Sequence, residues 1–164
     1  MLQLNRITFT VFCLVFMLFS MNTTAHEHKK AKGKVNVEKV WARATFALAK
    51  TGAVYLKVNN QSKHDIKLLS VSVDSSVASE AQLHETTMSE VAGKGMDGGM
   101  MQMREAESGF AIPAGSGLEF SPGGKHIMLL GLEKALSVGD KFILSLIFEN
   151  NKVMRVPVAV KDAR

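Results

Sequence analysis

The feature that most constrains this chain is a rhythm of short runs. Between residues 35 and 160, ten β-branched or aromatic stretches alternate with turn signals, and no apolar period of 3.6 residues is sustained over three turns. A helical core is thereby excluded. The runs span residues 35–46, 53–60, 66–74, 80–86, 100–105, 109–114, 117–121, 126–132, 141–149 and 152–160. Ser75-Ser76, Pro113-Ala114-Gly115, Pro122-Gly123-Gly124, Gly139-Asp140 and Asn150-Asn151 punctuate them. Strands at this spacing predict an all-β sandwich or small barrel. Asn150-Asn151, between two alternating runs, predicts a tight hairpin turn with positive φ. Pro157 predicts that the final strand lies at a sheet edge, where its missing N–H costs least. Only residues 89–99, SEVAGKGMDGG, break the rhythm, being glycine-rich and longer than a hairpin needs.

A length of 164 residues suits one domain with its own core. Ahead of it, MLQLNR carries one positive charge and leads into the apolar run of residues 7–19 and then SMNTTA. This pattern reads as a secretory signal peptide over residues 1–25, cleaved after Ala25, because the run is shorter than the ~20 residues of a membrane span. Residues 26–34 follow as a polar, basic leader with little to pack, and residues 35–164 form the domain. No membrane span is expected after cleavage. Cys13, the only cysteine, lies in the apolar run behind Val11-Phe12, which are not the small residues that lipoprotein cleavage wants. The mature chain is therefore expected to contain no disulfide and no thiolate. Loss of Arg6 takes the formal charge from +5 to +4, since residues 1–25 hold no Asp or Glu. A nucleic-acid partner is not expected, because one Trp and one Tyr offer no stacking platform among basic residues.

Residues two apart on a strand share a face. His126 and Met128 therefore point one way and Ile127 the other, Met101 and Met103 flank an opposed Gln102, and His84 brings an imidazole from a third strand. Imidazole and thioether without thiolate or carboxylate form a neutral, soft set that suits Cu(I) over the oxygen-seeking Mg and Ca. Zinc more typically recruits cysteine or carboxylate beside histidine. Taken singly, each residue reads as readily as a hydrogen-bonded histidine or a methionine that fills a core.

Taken together, they carry a resemblance. The run from His84 through Met103 to PAGSGLEFSPGGKHIMLLGL, with Trp41-Ala42-Arg43-Ala44 before GAVYLKV, resembles the periplasmic copper chaperone family PCu(A)C over residues 36–160. That family's hallmark is a His, a downstream Met in an M-x-M pair, and then H-x-M. The resemblance implies a cupredoxin-like Greek-key β-sandwich or barrel with the metal near one exposed end. It implies Cu(I) ligands at His84, Met103, His126 and Met128. The stretch from His84 to Met103 is longer than the family's spacing, and that from Met103 to His126 slightly so, which leaves Met101 as a competitor for the sulfur position. The resemblance further implies a non-enzymatic, periplasmic carrier, a monomer. It would pass copper to an apo-protein, either the copper centre of a respiratory oxidase or another copper chaperone.

Two further features stand beside this set. Met96 and Met100, with Met88 upstream, lie in or beside the glycine-rich stretch as an auxiliary capture site or as ordinary loop residues. Cleavage after Ala25 would leave His26-Glu27-His28 at the start, where a free amine, two amides and the His28 imidazole form a square-planar nitrogen set suited to Cu(II) or Ni(II). Two other function classes compete. An electron-transfer cupredoxin would need a cysteine ligand that the mature chain lacks. A metal-free exported β-domain for interaction or adhesion would use the methionines as packing or partner surface. No nucleophile elbow or HExxH pattern supports a hydrolase.

Overall fold

The computed structural model describes residues 35–89 and 100–162. The expected signal peptide, the leader with His26 and His28, and Met96 lie outside the described residues, as do the side chains of Met88 and Met100. All ten runs are strands: β1 Val35–Arg43, β2 Thr51–Asn60, β3 Ile66–Val73, β4 Ala78–Ser89, β5 Met100–Glu105, β6 Phe110–Ile112, β7 Gly117–Phe120, β8 His126–Leu132, β9 Lys141–Phe148 and β10 Val153–Lys161. β4 is longer at both ends than its apolar run suggested, because it pairs with β8 from Ala78 onward and with β5 over its outer half from His84 to Ser89. Among the described residues there is no α-helix, only a 3-10 turn at Glu149–Asn151.

The hydrogen-bonded order is β5-β4-β8-β2-β1-β10-β9-β3-β6, with β7 also paired to β2. Only β1–β2, β4–β5 and β9–β10 join consecutive strands, so the remaining pairings need the long crossovers of a Greek-key sandwich. β1 links the two halves: it pairs antiparallel with β2, and its last residues Trp41–Arg43 pair parallel with Ala159–Lys161 of β10. A register shift between Glu38 and Trp41, with Lys39 at φ 53°, makes this possible. The bulge returns Ala42 to the interior and turns Trp41 outward onto Tyr55, with ring centroids 4.7 Å apart. One core then fills the space between the halves, with Leu56, Ile127 and Leu129 meeting Leu68, Leu144 and Leu146.

The Asn-Asn turn is a three-residue loop. The Phe148 N–H donates to the Lys152 carbonyl at 2.9 Å, and Asn151 alone adopts positive φ, at 58°. Pro157 does not mark an outer edge, because β10 runs between β9 and β1. The strand tolerates it because Pro157 lies opposite Ile143 of β9, whereas the β1 ladder begins only at Ala159. No β1 pairing is interrupted.

β8 joins this core to the outer surface. Ile127 and Leu129 are fully buried, while Met128 between them faces out. Replacing Ile127 with Ala should therefore cost about 2–5 kcal/mol, the range for emptying a large aliphatic site. Urea unfolding of the apo-protein at unchanged m-value would measure that loss.

Candidate metal site

Directly opposed residues on paired strands share a face. On the outer face of β2, β8, β4 and β5 they form successive rows. Ala53, Met128 and Gln82 make one row, and His126, His84 and Glu105 the next. Thr86 pairs with Met103 beyond it, and Met88 with Met101 beyond that. The structure thus brings His84, His126, Met128, Met103 and Met101 to one face, with Ile127 directed into the core. Met100 begins β5 opposite Ser89, on the alternate parity.

The two imidazoles are the fixed part. Their ring centroids lie 5.6 Å apart at 40°, compatible with two rings whose nitrogens each stand about 2 Å from one shared ion. His126 is 8% exposed, and its Nδ1 lies 3.1 Å from the Gly124 carbonyl. A carbonyl only accepts, so Nδ1 carries the hydrogen and Nε2 keeps its lone pair. The same carbonyl also accepts from the Thr86 hydroxyl at 3.2 Å, so the Pro-Gly-Gly turn anchors both strands. His84 Nε2 lies 2.9 Å from Gln82 Oε1, while His84 Nδ1 is buried without a hydrogen-bond partner. Buried polar atoms left without a partner are uncommon and call for a cause. A metal ion at Nδ1 would supply one. Burial lowers the His84 pKa first, the neighbouring His126 lowers it further, and the Glu105 carboxylate opposes both.

The sulfurs are the open part. Met103 is 64% exposed and Met101 63%, whereas Met128 is half-buried. An open cleft of about 330 Å³ is lined by Met103, His126 and Met128 together with Arg43, Phe46 and Tyr55. His84 is not among the residues that line it. Phe46, 75% exposed, stands at this cleft, and Leu48, 84% exposed, follows in the same loop. Among the described residues no three His, Cys, Asp or Glu side chains come together around a point. An ion at this histidine pair would have to draw on sulfur.

Sequence reasoning missed Gln82, Glu105, the Gly124 carbonyl and the Phe46–Leu48 loop. Gln82 lies two residues before His84 on the same strand, so its shared face was readable. The Glu105 placement and the Gly124 contact needed the register of β5 and β8 against β4.

Residues 35–160 match the family described as "putative lipoprotein LpqE-like". The chain belongs to the LpqE-like family. It is 39% identical over 150 residues to a "putative lipoprotein" of Leifsonia xyli subsp. xyli, covering 92% of this chain and 81% of that protein. Its fold is that of PCuAC domains, cupredoxin-like. The copper-bound PCuAC domain of PmoF2 superposes with a TM-score of 0.60 at 22% identity, covering 80% of this chain and 95% of that one. The apo form of DR1885 from Deinococcus radiodurans gives 0.56 at 25% identity, covering 88% and 90%. Its Cu(I) form gives 0.52 at 25%, covering 78% and 76%. None of these relatives is described as an enzyme. Among the described residues of this LpqE-like chain no helix is long and apolar enough to cross a membrane.

The lowered His84 pKa has a stability consequence with a definite sign. The unfolded chain binds a proton near the ordinary value of about 6.5 and the folded chain only at lower pH, so stability is lost as pH falls through that interval. Urea unfolding of the apo-protein between about pH 7.5 and about pH 5 should show this decline, and His84→Asn should flatten it.

Proposed function

We propose that this chain is an exported, non-enzymatic carrier of copper that holds one Cu(I) between His84, His126, Met128 and Met103. The carrying observation is the buried His84 Nδ1, left without a hydrogen-bond partner beside His126, whose Nδ1 bond to the Gly124 carbonyl leaves the lone pair at Nε2, on a face that also bears three thioethers. The donors are neutral and soft, which favours Cu(I), and the Cu(I) form of DR1885 shares the fold. Glu105 adds one anionic neighbour to this set, opposite His84, which offsets the positive charge of the ion.

The copper is cargo, and the mechanism is ligand exchange. The buried His126 and the half-buried His84 would hold the ion from the sheet side, with the exposed Met103 thioether covering it toward solvent. Thioethers need no deprotonation to bind and none is gained on leaving, so an incoming acceptor can displace them one at a time. The acceptor would be an apo-protein in the periplasm, either the copper centre of a respiratory oxidase or another copper chaperone, served by a monomeric donor. Between the two candidate sulfurs, Met103 lies one row nearer to His84 than Met101 does, which favours it. Lipid attachment, named for the family and for the Leifsonia relative, is not carried over here, because Val11-Phe12 before Cys13 lack the small residues that processing requires. At the N-terminus released after Ala25, His26 and His28 would offer Cu(II) its own nitrogen site; His28→Ala should abolish a visible Cu(II) absorption band there.

Anaerobic titration of the cleaved protein with Cu(I) against a chromogenic chelator tests the main site. One equivalent should bind. His84→Ala with His126→Ala should weaken binding by more than the roughly 10–100-fold that loss of an outer-shell partner costs. Met103→Leu should weaken it clearly, and Met101→Leu only slightly. Failure of the wild-type protein to bind, or binding indifferent to both histidines, would instead favour a metal-free interaction domain.

A further inference from the structure

We propose that Gln82, oriented by Glu80, is a positioning residue that commits His84 to bind copper through Nδ1. This rests on the copper reading of the site above. Glu80, Gln82 and His84 alternate along one face of β4, so each reaches the next without any loop between them. Gln82 Nε2 lies 2.9 Å from Glu80 Oε1, and Gln82 Oε1 lies 2.9 Å from His84 Nε2. An ionised carboxylate only accepts hydrogen bonds, so the amino end of the Gln82 carboxamide must face Glu80 and its oxygen must face His84. That oxygen also only accepts. His84 Nε2 therefore carries the hydrogen, and the lone pair is at Nδ1, the buried atom that has no other partner.

The opposite tautomer is disfavoured twice. It would bury an N–H at Nδ1 with nothing to receive it, and it would set two lone pairs against each other between Nε2 and Gln82 Oε1. His126 is fixed the other way round, with Nδ1 bonded to the Gly124 carbonyl and the lone pair at Nε2. The two histidines thus offer different nitrogens. One is set by the backbone and the other by a replaceable side chain. Glu80 is exposed, so its hold on Gln82 is the weaker link in the chain.

Imidazole nitrogen–proton correlation spectra of the apo-protein read the tautomer without any metal, and Cu(I) competition against a chromogenic chelator reads the affinity. In the wild type, His84 should appear as a single Nε2–H form. Gln82→Leu should give mixed tautomers and a loss of Cu(I) affinity of about 10–100-fold. Gln82→Glu keeps an accepting oxygen and should restore both. Should Gln82→Leu not fold, Glu80→Ala at its exposed position should show the same change, smaller in size. The relay is overturned if Gln82→Leu, or Glu80→Ala in its place, leaves tautomer and affinity unchanged, or if Gln82→Glu restores neither. A wild-type protein that binds no Cu(I) would overturn the copper reading as well, whereas normal binding with an unaltered variant removes the relay alone.

Discussion

The register of β4 against β8 is the constraint from which the site follows. It sets His84 opposite His126 and Gln82 opposite Met128, and it is held from the other face by Leu83, Ile127 and Leu129 in the core. A slip of one residue would drive His84 into the apolar interior and Leu83 into solvent. The hydrophobic effect thus positions polar donors that it does not itself touch. The Gly124 carbonyl adds a local check, since it bonds Thr86 from β4 and His126 from β8 at once. Both histidines stand on paired strands, so their spacing does not depend on the conformation of a loop.

Rigidity declines across the face. β8 lies between β2 and β4, whereas β5 is the outermost strand and pairs with β4 alone. The imidazoles accordingly sit on doubly supported or centrally placed elements, and the Met103 and Met101 sulfurs on a margin. For the proposed carrier this asymmetry is useful. The more enclosed floor would discriminate among ions through donor type, and the accessible edge would allow another protein's ligands to approach. The cleft beside Phe46 and Tyr55 opens on the same side, next to His126 and Met128.

Much of the fold was legible because the strands obey a period of two and their turns carry glycine, proline or asparagine where the backbone needs them. All ten runs became strands, and the alternation at His126-Ile127-Met128 holds in three dimensions. Pro157 misled because edge character is local: an interior strand can lack its second partner over part of its length. The extent of β4 was hidden because its outer half, Glu85 to Ser89, is polar apart from Met88 and is held by β5 rather than by core burial. At the site, residue types and face parity were readable, but cross-strand neighbours were not. Glu105 and the Gly124 carbonyl meet the histidines through registers that no local pattern encodes. Lys39 illustrates the same limit in β1, where a bulge at an unremarkable residue decides that Trp41 faces out and Ala42 in.

The exposure of Met103 also has a chemical cost. A thioether open to solvent is a target for peroxides, which convert it to a sulfoxide, a polar and chiral group with an oxygen where the lone pair was. Met103 projects from the sheet margin at 64% exposure, and the more enclosed Met128 is shielded. In the proposed copper site, oxidant and metal would therefore compete for the same sulfur atom. The proposed mature chain, cleaved after Ala25 and so without Cys13, escapes thiol oxidation only to move its redox vulnerability onto methionine, where repair depends on an enzymatic reductase rather than on disulfide exchange.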